Sequence, residues 1–175
     1  MKKLWCTGES SFMSRNFAKW CDAHPGKYEF ENRLDNVYYD YFRNFKSPLK
    51  GYSKEVDIFD PTLPVLIDRS GAEVIIHNAA IVGSDYCTEA PDVALRTNIE
   101  GTLHVIDAAK KIGIPLIFIS TSVCYKPTDK VIQETDELSP TTIYGMTKLA
   151  GELLLKTWMG KNYVIVIPAM IFGAF

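Results

Sequence analysis

The amino-acid sequence predicts an α/β fold, a doubly wound parallel sheet with helices on both of its faces. Short apolar runs of strand length alternate with stretches of helical spacing almost from the first residue. The runs are continuously apolar, which is typical of strands that are buried on both faces. Because such strands, when separated by helices, form βαβ units, the sheet is expected to be parallel. A chain of 175 residues has the length of one domain, which we place at residues 1–175.

The predicted elements follow one another along the chain. Strands are predicted at 3–7, 28–31, 56–58, 73–77, 116–120 and 163–167, where the runs are apolar or β-branched. Helices are predicted at 12–23, 62–70, 92–112 and 143–159. The helix at 92–112 has the broadest apolar face, and Gly71 ends the helix at 62–70.

The stretch 33–54 has no clean period and is longer than an ordinary connection. It is rich in tyrosine and phenylalanine, which could line a ligand pocket or an oligomer contact. A helix packed on the edge of the sheet is the simpler interpretation, and we favour it over the other two.

Composition and charge narrow the classes of function. The net charge is −2, from 19 basic and 21 acidic residues, so no basic field predicts binding to nucleic acid or to an anionic membrane. The longest apolar stretch, near 163–175, is too short to span a bilayer, and the first residues do not resemble a signal peptide. The four cysteines form no CxxC pair and no ligand-like spacing with the three histidines. We therefore expect reduced thiols, no metal and a cytoplasmic location.

The turn after the first predicted strand is the first candidate for a ligand site. In an open parallel sheet, ligands lie at the carboxyl ends of the strands, near the point where the strand order reverses. A dinucleotide fingerprint places three glycines in this turn, but only Gly8 is present, with Ser11 and Ser14 at the other two positions. The amides at the start of the following helix can still bind phosphate. Taken alone, the turn is more typical of an ordinary strand-to-helix connection.

Residues after the later strands support a dinucleotide site. Asp57 can accept a hydrogen bond from an adenine amino group, or it can bind its own backbone in a turn. The small residues at 78–80 let the backbone approach a flat ligand. After the second strand, an acidic residue bonds the ribose hydroxyls of NAD, whereas an arginine favours the 2′-phosphate of NADP. Both Glu31 and Arg33 lie in that window, so the choice between NAD and NADP stays open.

A phenol and an ammonium group stand four residues apart at Tyr144 and Lys148, on a predicted helix, and this spacing puts both on one face. A phenol has an ordinary pKa of about 10, which a nearby ammonium group lowers toward neutral pH. The pair can then move a proton to or from an alcohol while a nicotinamide moves a hydride. Thr121, with Ser122 as second choice, ends the preceding strand and can hold the same substrate oxygen.

Two polar side chains near these motifs have simpler interpretations. Cys124 follows the Thr121 segment, but no histidine or carboxylate is placed by the sequence to activate it, so we expect a buried and inert thiol. His77 borders the candidate dinucleotide stretch, where a hydrogen-bonded histidine at a strand end is expected more than a catalytic one.

Taken in order, these motifs resemble the extended short-chain dehydrogenases/reductases of the NAD-dependent epimerase/dehydratase family. The resemblance covers essentially the whole chain. It rests on Thr7-Gly8 with Phe12, Asp57-Ile58, His77-Asn78-Ala79-Ala80, Asn98 with Gly101-Thr102, Ile119-Ser120-Thr121-Ser122 with Tyr125, Glu134, Pro140, Tyr144 with Lys148, and Pro168 with Phe172-Gly173. It implies a Rossmann-like fold, an NAD cofactor with NADP as the alternative, and a nucleotide-sugar substrate. A homodimer is also implied, formed through the helices at 92–112 and 143–159.

The resemblance implies roles for single residues. Tyr144 would be the catalytic acid/base, Lys148 would lower its pKa and bind the nicotinamide ribose, and Thr121 would orient the substrate hydroxyl. The residues that would bind the dinucleotide are Gly8, Ser11, Phe12, Met13, Asp57, Ile58, Asn78, Ala79, Ala80, Asn98, Tyr144, Lys148 and Pro168. Relatives in the family continue beyond the position of Phe172-Gly173 with a small lobe for the nucleotide sugar. We therefore expect this C-terminal substrate lobe to be largely absent from the chain.

Departures from the family pattern shape the expected function. Family members usually carry TGxxGxxG, so Ser11 and Ser14 predict altered cofactor binding. The 4,6-dehydratases of the family carry an acid pair where Ser122 and Val123 stand, so dehydration is disfavoured. We expect a nucleotide-sugar epimerase or oxidoreductase, with epimerisation slightly ahead of net reduction. The alternatives are an NADPH-dependent reductase similar to dTDP-4-dehydrorhamnose reductases, and a cofactor-binding or regulatory relative without turnover.

Overall fold

The computed structural model describes residues 2–8, 11–34 and 57–172. Within these residues the chain forms one sheet of five parallel strands: β1 (Lys2–Thr7), β2 (Tyr28–Leu34), β3 (Val74–His77), β4 (Leu116–Ile119) and β5 (Tyr163–Val166). The strand order is β2-β1-β3-β4-β5. The predicted parallel sheet is confirmed.

Helices connect the strands. They are α1 (Phe12–Ala23), α2 (Leu63–Ser70), α3 (Ser84–Glu89), α4 (Pro91–Leu95), α5 (Gly101–Ile112) and α6 (Ile143–Trp158), and a π-helical segment, Arg96–Glu100, joins α4 to α5. The chain steps one way from β1 to β2 and the other way from β3 to β4 and β5. Because crossovers between parallel strands are right-handed, α1 lies on one face and α5 and α6 lie on the other. The sheet is therefore doubly wound, as expected.

Polar residues mark where the two helices that flank the candidate site begin. Ser11 Oγ accepts a hydrogen bond from the Ser14 N–H at 3.1 Å and caps α1. Thr142 Oγ1 accepts from the Gly145 N–H at 3.1 Å and caps α6.

The predicted strand at 56–58 is wrong. Val56 lies outside the described residues, and the next two residues form a turn. In this turn the Asp57 carbonyl accepts from the Asp60 N–H at 2.9 Å, and the Asp57 carboxylate accepts from the Phe59 N–H at 2.9 Å. An aspartate that binds its own backbone in this way favours a turn over a strand. Ile58 is apolar because it is fully buried in the core, and not because it pairs in the sheet.

The hydrophobic core fills the space between the sheet and the helices α2, α5 and α6. Its largest fully buried apolar side chains are Ile58, Leu63, Ile67, Ile75, Ile106, Leu116, Phe118 and Leu155. A Cβ at Gly151 of α6 would lie 2.6 Å from Cζ of Phe118. A glycine at this position therefore lets α6 pack directly on the Phe118 ring, and this close approach also sets the depth of the residues one turn earlier on α6.

Three further observations concern the aromatic stretch, the cysteines, and the absence of membrane-spanning helices and metal-ligand clusters among the described residues. The predicted aromatic stretch at 33–54 lies outside the described residues, apart from its first two residues, which end β2. The cysteines Cys6, Cys21, Cys87 and Cys124 are all buried free thiols, as expected. Among the described residues, no helix combines the length and the apolar character needed to cross a membrane, and no cluster of potential metal ligands is found.

Candidate functional site

The carboxyl ends of β1 and β3 lie side by side where the strand order reverses. In an open α/β sheet this is the place where ligands bind. Gly8 follows β1 with a φ of 74°, and a Cβ there would lie 2.8 Å from the backbone nitrogen of Ala79. Only glycine permits this turn to pack so closely against the backbone that follows β3. The predicted residues Gly8, Asn78 and Ala79 are thus brought together.

The two serines that replace fingerprint glycines are joined to Asn78. Asn78 Nδ2 donates to Ser11 Oγ, and it donates to Ser14 Oγ at 2.8 Å. Ser11 Oγ donates to Ser14 Oγ at 3.1 Å and accepts from the Ser14 N–H at 3.1 Å. Ser14 is buried, with its oxygen 3.3 Å from Cys6 Sγ. These bonds hold the start of α1 against the end of β3, and they occupy one helix-terminal amide with a side chain.

This corner of the fold fits the pyrophosphate of a dinucleotide through its backbone. Gly8, Ala79 and Ala80 are small, and the positive end of the α1 dipole lies beside them. Phe12 and Met13 open α1, and the first backbone amides of an α-helix point out of its N-terminus, where they can bind an anion. Ser11 and Ser14 depart from the family pattern, and this departure affects the Ser14 amide. A phosphate oxygen would have to compete with Ser11 Oγ for the Ser14 N–H.

His77, the last residue of β3, is buried with both ring nitrogens hydrogen-bonded. Nδ1 lies 2.7 Å from Thr7 Oγ1, and Nε2 lies 2.9 Å from Thr102 Oγ1. Burial, together with the positive charge of Lys148, lowers the pKa of His77 to about 3. A neutral ring with both nitrogens engaged exchanges no proton with a ligand, so the expected hydrogen-bonded role of His77 is confirmed.

Tyr144 and Lys148 lie one turn apart at the start of α6, so their side chains share a face, as the spacing predicted. Tyr144 is half-buried, whereas Lys148 is only 2% exposed. Lys148 Nζ lies 4.0 Å from the centroid of the Phe118 ring, which is a favourable cation–π distance. Burial lowers the pKa of Lys148 to about 7, and the nearby Glu152 carboxylate acts against this effect. The amine can therefore change its protonation near neutral pH.

The segment after β4 packs against the first turn of α6. Thr121 caps the short 3₁₀ turn Ser122–Cys124, because its hydroxyl oxygen accepts from the Val123 N–H at 3.3 Å. The Val123 carbonyl faces Gly145, where a Cβ would lie 2.6 Å from the carbonyl oxygen. The residue after Tyr144 must therefore be glycine for the two segments to meet. The structure places Thr121 and Tyr144 on adjoining segments.

Glu152, one further turn along α6, is a residue that the motif pattern does not single out. It is 2% exposed, and its Oε1 accepts from Ser120 Oγ at 2.5 Å, while Oε2 lies 3.4 Å from Lys156 Nζ. Burial dominates the pKa of Lys148, and the negative charge of Glu152 acts against that effect. The position of Glu152, four residues after Lys148 on the same helix face, is the sequence signal that could have found it.

Cys124 lies between the 3₁₀ turn and α6. Its thiol donates to the Gly145 carbonyl at 3.5 Å, and Ser120 Oγ lies 3.6 Å from its sulfur. Burial raises the pKa of this thiol above its ordinary value, so it stays protonated and unreactive at neutral pH. The expectation of a buried and inert thiol agrees with this environment.

The remaining predicted dinucleotide residues lie in different surroundings. Asp57 is exposed in its turn, and Ile58 is fully buried. Asn98 is buried, and its side chain is hydrogen-bonded to Ile81 and Thr147. The Pro168 carbonyl accepts from the Ser122 N–H at 3.1 Å, so the end of β5 lies beside the Thr121 segment. Contacts of these residues with a dinucleotide remain predictions, and the side chains of Glu31 and Arg33 lie outside the described part.

The sequence of this chain is similar to one protein family and to proteins of known name. The model of the RmlD substrate binding domain family matches residues 41–175. The chain is 35% identical over 98 residues to methionine adenosyltransferase 2 subunit beta of Bos taurus, covering 55% of this chain and 29% of that protein. It is 32% identical over 105 residues to dTDP-4-dehydrorhamnose reductase of Mycobacterium tuberculosis, covering 57% of this chain and 34% of the reductase.

Solved structures share the fold. UDP-glucose 4-epimerase from Brucella ovis in complex with NAD superposes with a TM-score of 0.77 at 22% identity, covering 95% of this chain and 51% of that chain. The dTDP-4-dehydrorhamnose reductase from Bacillus anthracis in complex with NADP has a TM-score of 0.77 at 22% identity, covering 100% of this chain and 56% of that chain. The chain thus spans about half the length of these two structures, and its matches span about a third of the two curated relatives.

Proposed function

Since the chain belongs to the RmlD substrate binding domain family, among the extended short-chain dehydrogenases/reductases, we propose that it carries the dinucleotide site and proton-transfer residues of a nucleotide-sugar epimerase or reductase. NAD or NADP would bind where the strand order reverses between β1 and β3. A nucleotide sugar would bind beside Tyr144. The reaction would move a hydride between the dinucleotide and a sugar carbon.

One observation carries this proposal: the surroundings of the Tyr144 and Lys148 pair. Lys148 is 2% exposed, and its amine titrates with a pKa of about 7 because of burial. Surface lysines keep their ordinary pKa, so a YxxxK spacing on an ordinary exposed helix would not have this property. Perturbed pKa values of this kind gather at functional sites. The Thr121 segment adjoins the residue after Tyr144, at Gly145, and the Thr121 hydroxyl would contact the substrate.

Each of these side chains has a distinct task in the proposed reaction. The Tyr144 hydroxyl gives a proton to the sugar oxygen or takes one from it. The Lys148 amine, one helical turn away, would in its protonated form favour the phenolate of Tyr144. The Thr121 hydroxyl orients the sugar oxygen toward Tyr144. The dinucleotide, when bound, supplies or accepts the hydride. The amides that open α1, together with Gly8, Ala79 and Ala80, would hold its pyrophosphate.

Substitution of Tyr144 tests this assignment. Tyr144→Phe removes only the hydroxyl, so we expect turnover of UDP- and dTDP-sugars to fall by at least about 100-fold, the usual contribution of a positioned acid or base. The dinucleotide Kd should change by less than about threefold, since the ring remains in place. Tyr125→Phe is the matched control and should leave turnover near the wild-type rate. Wild-type turnover in Tyr144→Phe would remove Tyr144 from the mechanism.

A second candidate is a dinucleotide-binding or regulatory relative without turnover. It is favoured by the 35% identity to methionine adenosyltransferase 2 subunit beta, and by Ser11, whose side chain occupies the Ser14 amide. In this case the chain would bind NAD or NADP and assemble with another enzyme, such as a methionine adenosyltransferase.

Two measurements on the wild-type protein separate the candidates. The first is turnover of UDP- and dTDP-sugars with bound dinucleotide, and the second is complex formation with a methionine adenosyltransferase in size-exclusion chromatography. Turnover that depends on Tyr144 supports the enzyme. Dinucleotide binding and a stable complex, without turnover, support the regulatory relative.

A further inference from the structure

A continuous chain of buried polar groups links the end of β1 to the first turn of α6. Its side chains come from five different parts of the fold, and none is more than 1% exposed: Thr7, His77, Asn98, Thr102 and Thr147. They lie beneath the two halves of the candidate site. At one end of this series of hydrogen bonds, Thr7 precedes Gly8 and the turn where a dinucleotide would bind. At the other end, Thr147 contacts the backbone of Tyr144.

The donors and acceptors at the middle of this chain determine the tautomer of His77. Thr102 Oγ1 donates its only hydrogen to the Asn98 carbonyl at 2.7 Å. At the His77 contact of 2.9 Å, Thr102 Oγ1 can therefore only accept, so His77 Nε2 carries the proton. Nδ1 is left unprotonated and accepts from Thr7 Oγ1 at 2.7 Å. The Thr7 oxygen in turn accepts from the Ala79 N–H at 3.1 Å.

Asn98 continues the chain to α6. Its Oδ1 accepts from the Ile81 N–H at 2.7 Å, and its Nδ2 donates to the Ile81 carbonyl at 3.0 Å and to Thr147 Oγ1 at 2.9 Å. Thr147 Oγ1 then donates to the Tyr144 carbonyl at 2.8 Å. Both amide hydrogens of Asn98 are thus used, and the chain of hydrogen bonds ends on the residue that would exchange the substrate proton.

The π-helical segment gives Asn98 its place in this chain. Within Arg96–Glu100 the backbone turn is widened, and the Gly101 N–H donates to the Arg96 carbonyl five residues earlier. The Asn98 carbonyl accepts from the Thr102 hydroxyl, while its side chain spans the gap between Ile81 and α6. Such single π-turns inside α-helices are frequent at functional sites.

We propose that these five side chains form a positioning network that couples the dinucleotide turn to the turn of α6 that carries Tyr144 and Lys148. Because every hydrogen of the network has one assigned acceptor, a shift of Thr7 or Ala79 displaces the links that follow. A dinucleotide that binds against Gly8 and Ala79 would therefore also tighten the start of α6. The dinucleotide half of this inference rests on the proposed function, whereas the support of α6 by the network does not.

Thr102→Val breaks the network at its centre and keeps the size and branching of the side chain. It leaves His77 Nε2–H without its acceptor and the Asn98 carbonyl without its donor. We expect amide hydrogen exchange at residues 145–148 to become at least about tenfold faster in the ligand-free protein, because two buried hydrogen bonds are lost and each is worth roughly tenfold in an opening equilibrium. The Kd of the better-binding dinucleotide, NAD or NADP, should rise by about tenfold, and binding should no longer slow exchange at residues 145–148.

Two variants serve as controls. Thr97→Val alters a threonine of the same π-helical segment that is 4% exposed and belongs to none of these hydrogen bonds, so it should behave as the wild type. Thr102→Ser restores the hydroxyl and should restore both exchange and Kd, which a role in packing alone would not predict. If Thr102→Val does not fold, Thr147→Val breaks the last link to Tyr144, and the same changes are expected.

The outcomes distinguish failure of the network from failure of the proposed function. Exchange at residues 145–148 that is equal in Thr102→Val and Thr97→Val overturns the network. Faster exchange with an unchanged dinucleotide Kd overturns the coupling between the two ends. If the wild-type protein binds neither NAD nor NADP, the proposed function fails and the coupling fails with it. Exchange in the ligand-free protein then still decides whether the network supports α6.

Discussion

Lys148 and Glu152 are buried charges that stand one turn apart on α6, each 2% exposed. A buried ammonium group costs free energy because water no longer solvates it. Burial lowers the pKa of Lys148 from 10.5 to about 7, although the Glu152 carboxylate opposes this effect. At a pH between these two values, the unfolded chain holds a proton on Lys148 that the folded chain releases. The stability of the protein must therefore depend on pH through this residue.

Lys148→Met should expose that dependence. The cost of the buried ammonium is complete below about pH 7, where both states hold the proton, and it disappears as the pH rises toward 10.5. We expect the variant to be more stable than the wild type near neutral pH by more than about 1 kcal/mol, with the gain shrinking toward alkaline pH. Urea unfolding across this pH range measures it. Lys110→Met, at an exposed position of α5, should show no such trend, and a gain in Lys148→Met that is constant with pH would contradict the expectation.

Single residues of the site were predictable where their spacing within one helix carries the information. Tyr144 and Lys148 share a face because they are four residues apart, and the sequence alone is enough to find them. The burial of Lys148 was not predictable, because it depends on the Phe118 ring of β4 and on the absence of a Cβ at Gly151. The pairing of Glu152 with Ser120 likewise joins residues that are 32 positions apart.

The turn between β1 and α1 is the element on which the dinucleotide site depends. Gly8 has a positive φ, and it lies directly against the backbone of residues 78 and 79. Gly113, at the end of α5, has a similar φ of 83°, but a Cβ there would meet nothing within 4 Å. The two glycines share the same backbone requirement and differ only in their neighbours, so they form a matched pair.

Alanine substitution of the two glycines should separate strain from close approach. Gly113→Ala should lower the free energy of unfolding by about 1–2 kcal/mol, the cost of a left-handed backbone for a residue with a Cβ. Gly8→Ala also forces its Cβ to 2.8 Å from the Ala79 nitrogen, which must displace the end of β3, so its cost should exceed that of Gly113→Ala by at least about 1 kcal/mol. Urea unfolding of both variants measures the difference. Equal losses would mean that the β1 turn can move away from β3 freely.

The bounds of helices and strands were predictable where nearby residues in the sequence determine them. They were not predictable where contacts between distant residues determine them. The helix at 12–23 was predicted with its observed bounds because its apolar residues follow a helical period. The strand at 56–58 was wrong because Asp57 binds its own turn. The helix at 92–112 was predicted, but its π-helical segment was not, since Asn98 is held there by residues 17 positions before it and 49 positions after it.

At the scale of the whole molecule, apolar side chains are exposed on the helices through which the family resemblance implies a dimer. Leu95 of α4 and Met146 and Leu153 of α6 are each about half exposed, at 48%, 50% and 54%. Met146 and Leu153 are two helical turns apart and therefore share a face, and α4 packs against α6. Exposed apolar side chains on two helices in contact favour binding to another protein, and we expect a second copy of this chain to cover them.

Leu153→Glu should weaken this dimer. A buried, unpaired carboxylate at the interface costs several kcal/mol of association free energy, so the variant is expected to be monomeric where the wild type is dimeric. Light scattering coupled to size-exclusion chromatography measures the mass of both. Val131→Glu, in the exposed connection between β4 and α6, is the matched control and should leave the mass unchanged. A monomeric wild type, or a dimeric Leu153→Glu, would place the interface elsewhere.

Binding of a dinucleotide at the reversal of strand order is the property from which the proposed function follows. Isothermal titration of the wild-type protein with NAD, NADH, NADP and NADPH measures it directly. We expect saturable binding of at least one of the four with a Kd below about 1 mM, and a weaker Kd in Gly8→Ala. Absence of binding for all four at millimolar concentration, in a protein with the circular dichroism of a folded α/β chain, would contradict the proposal.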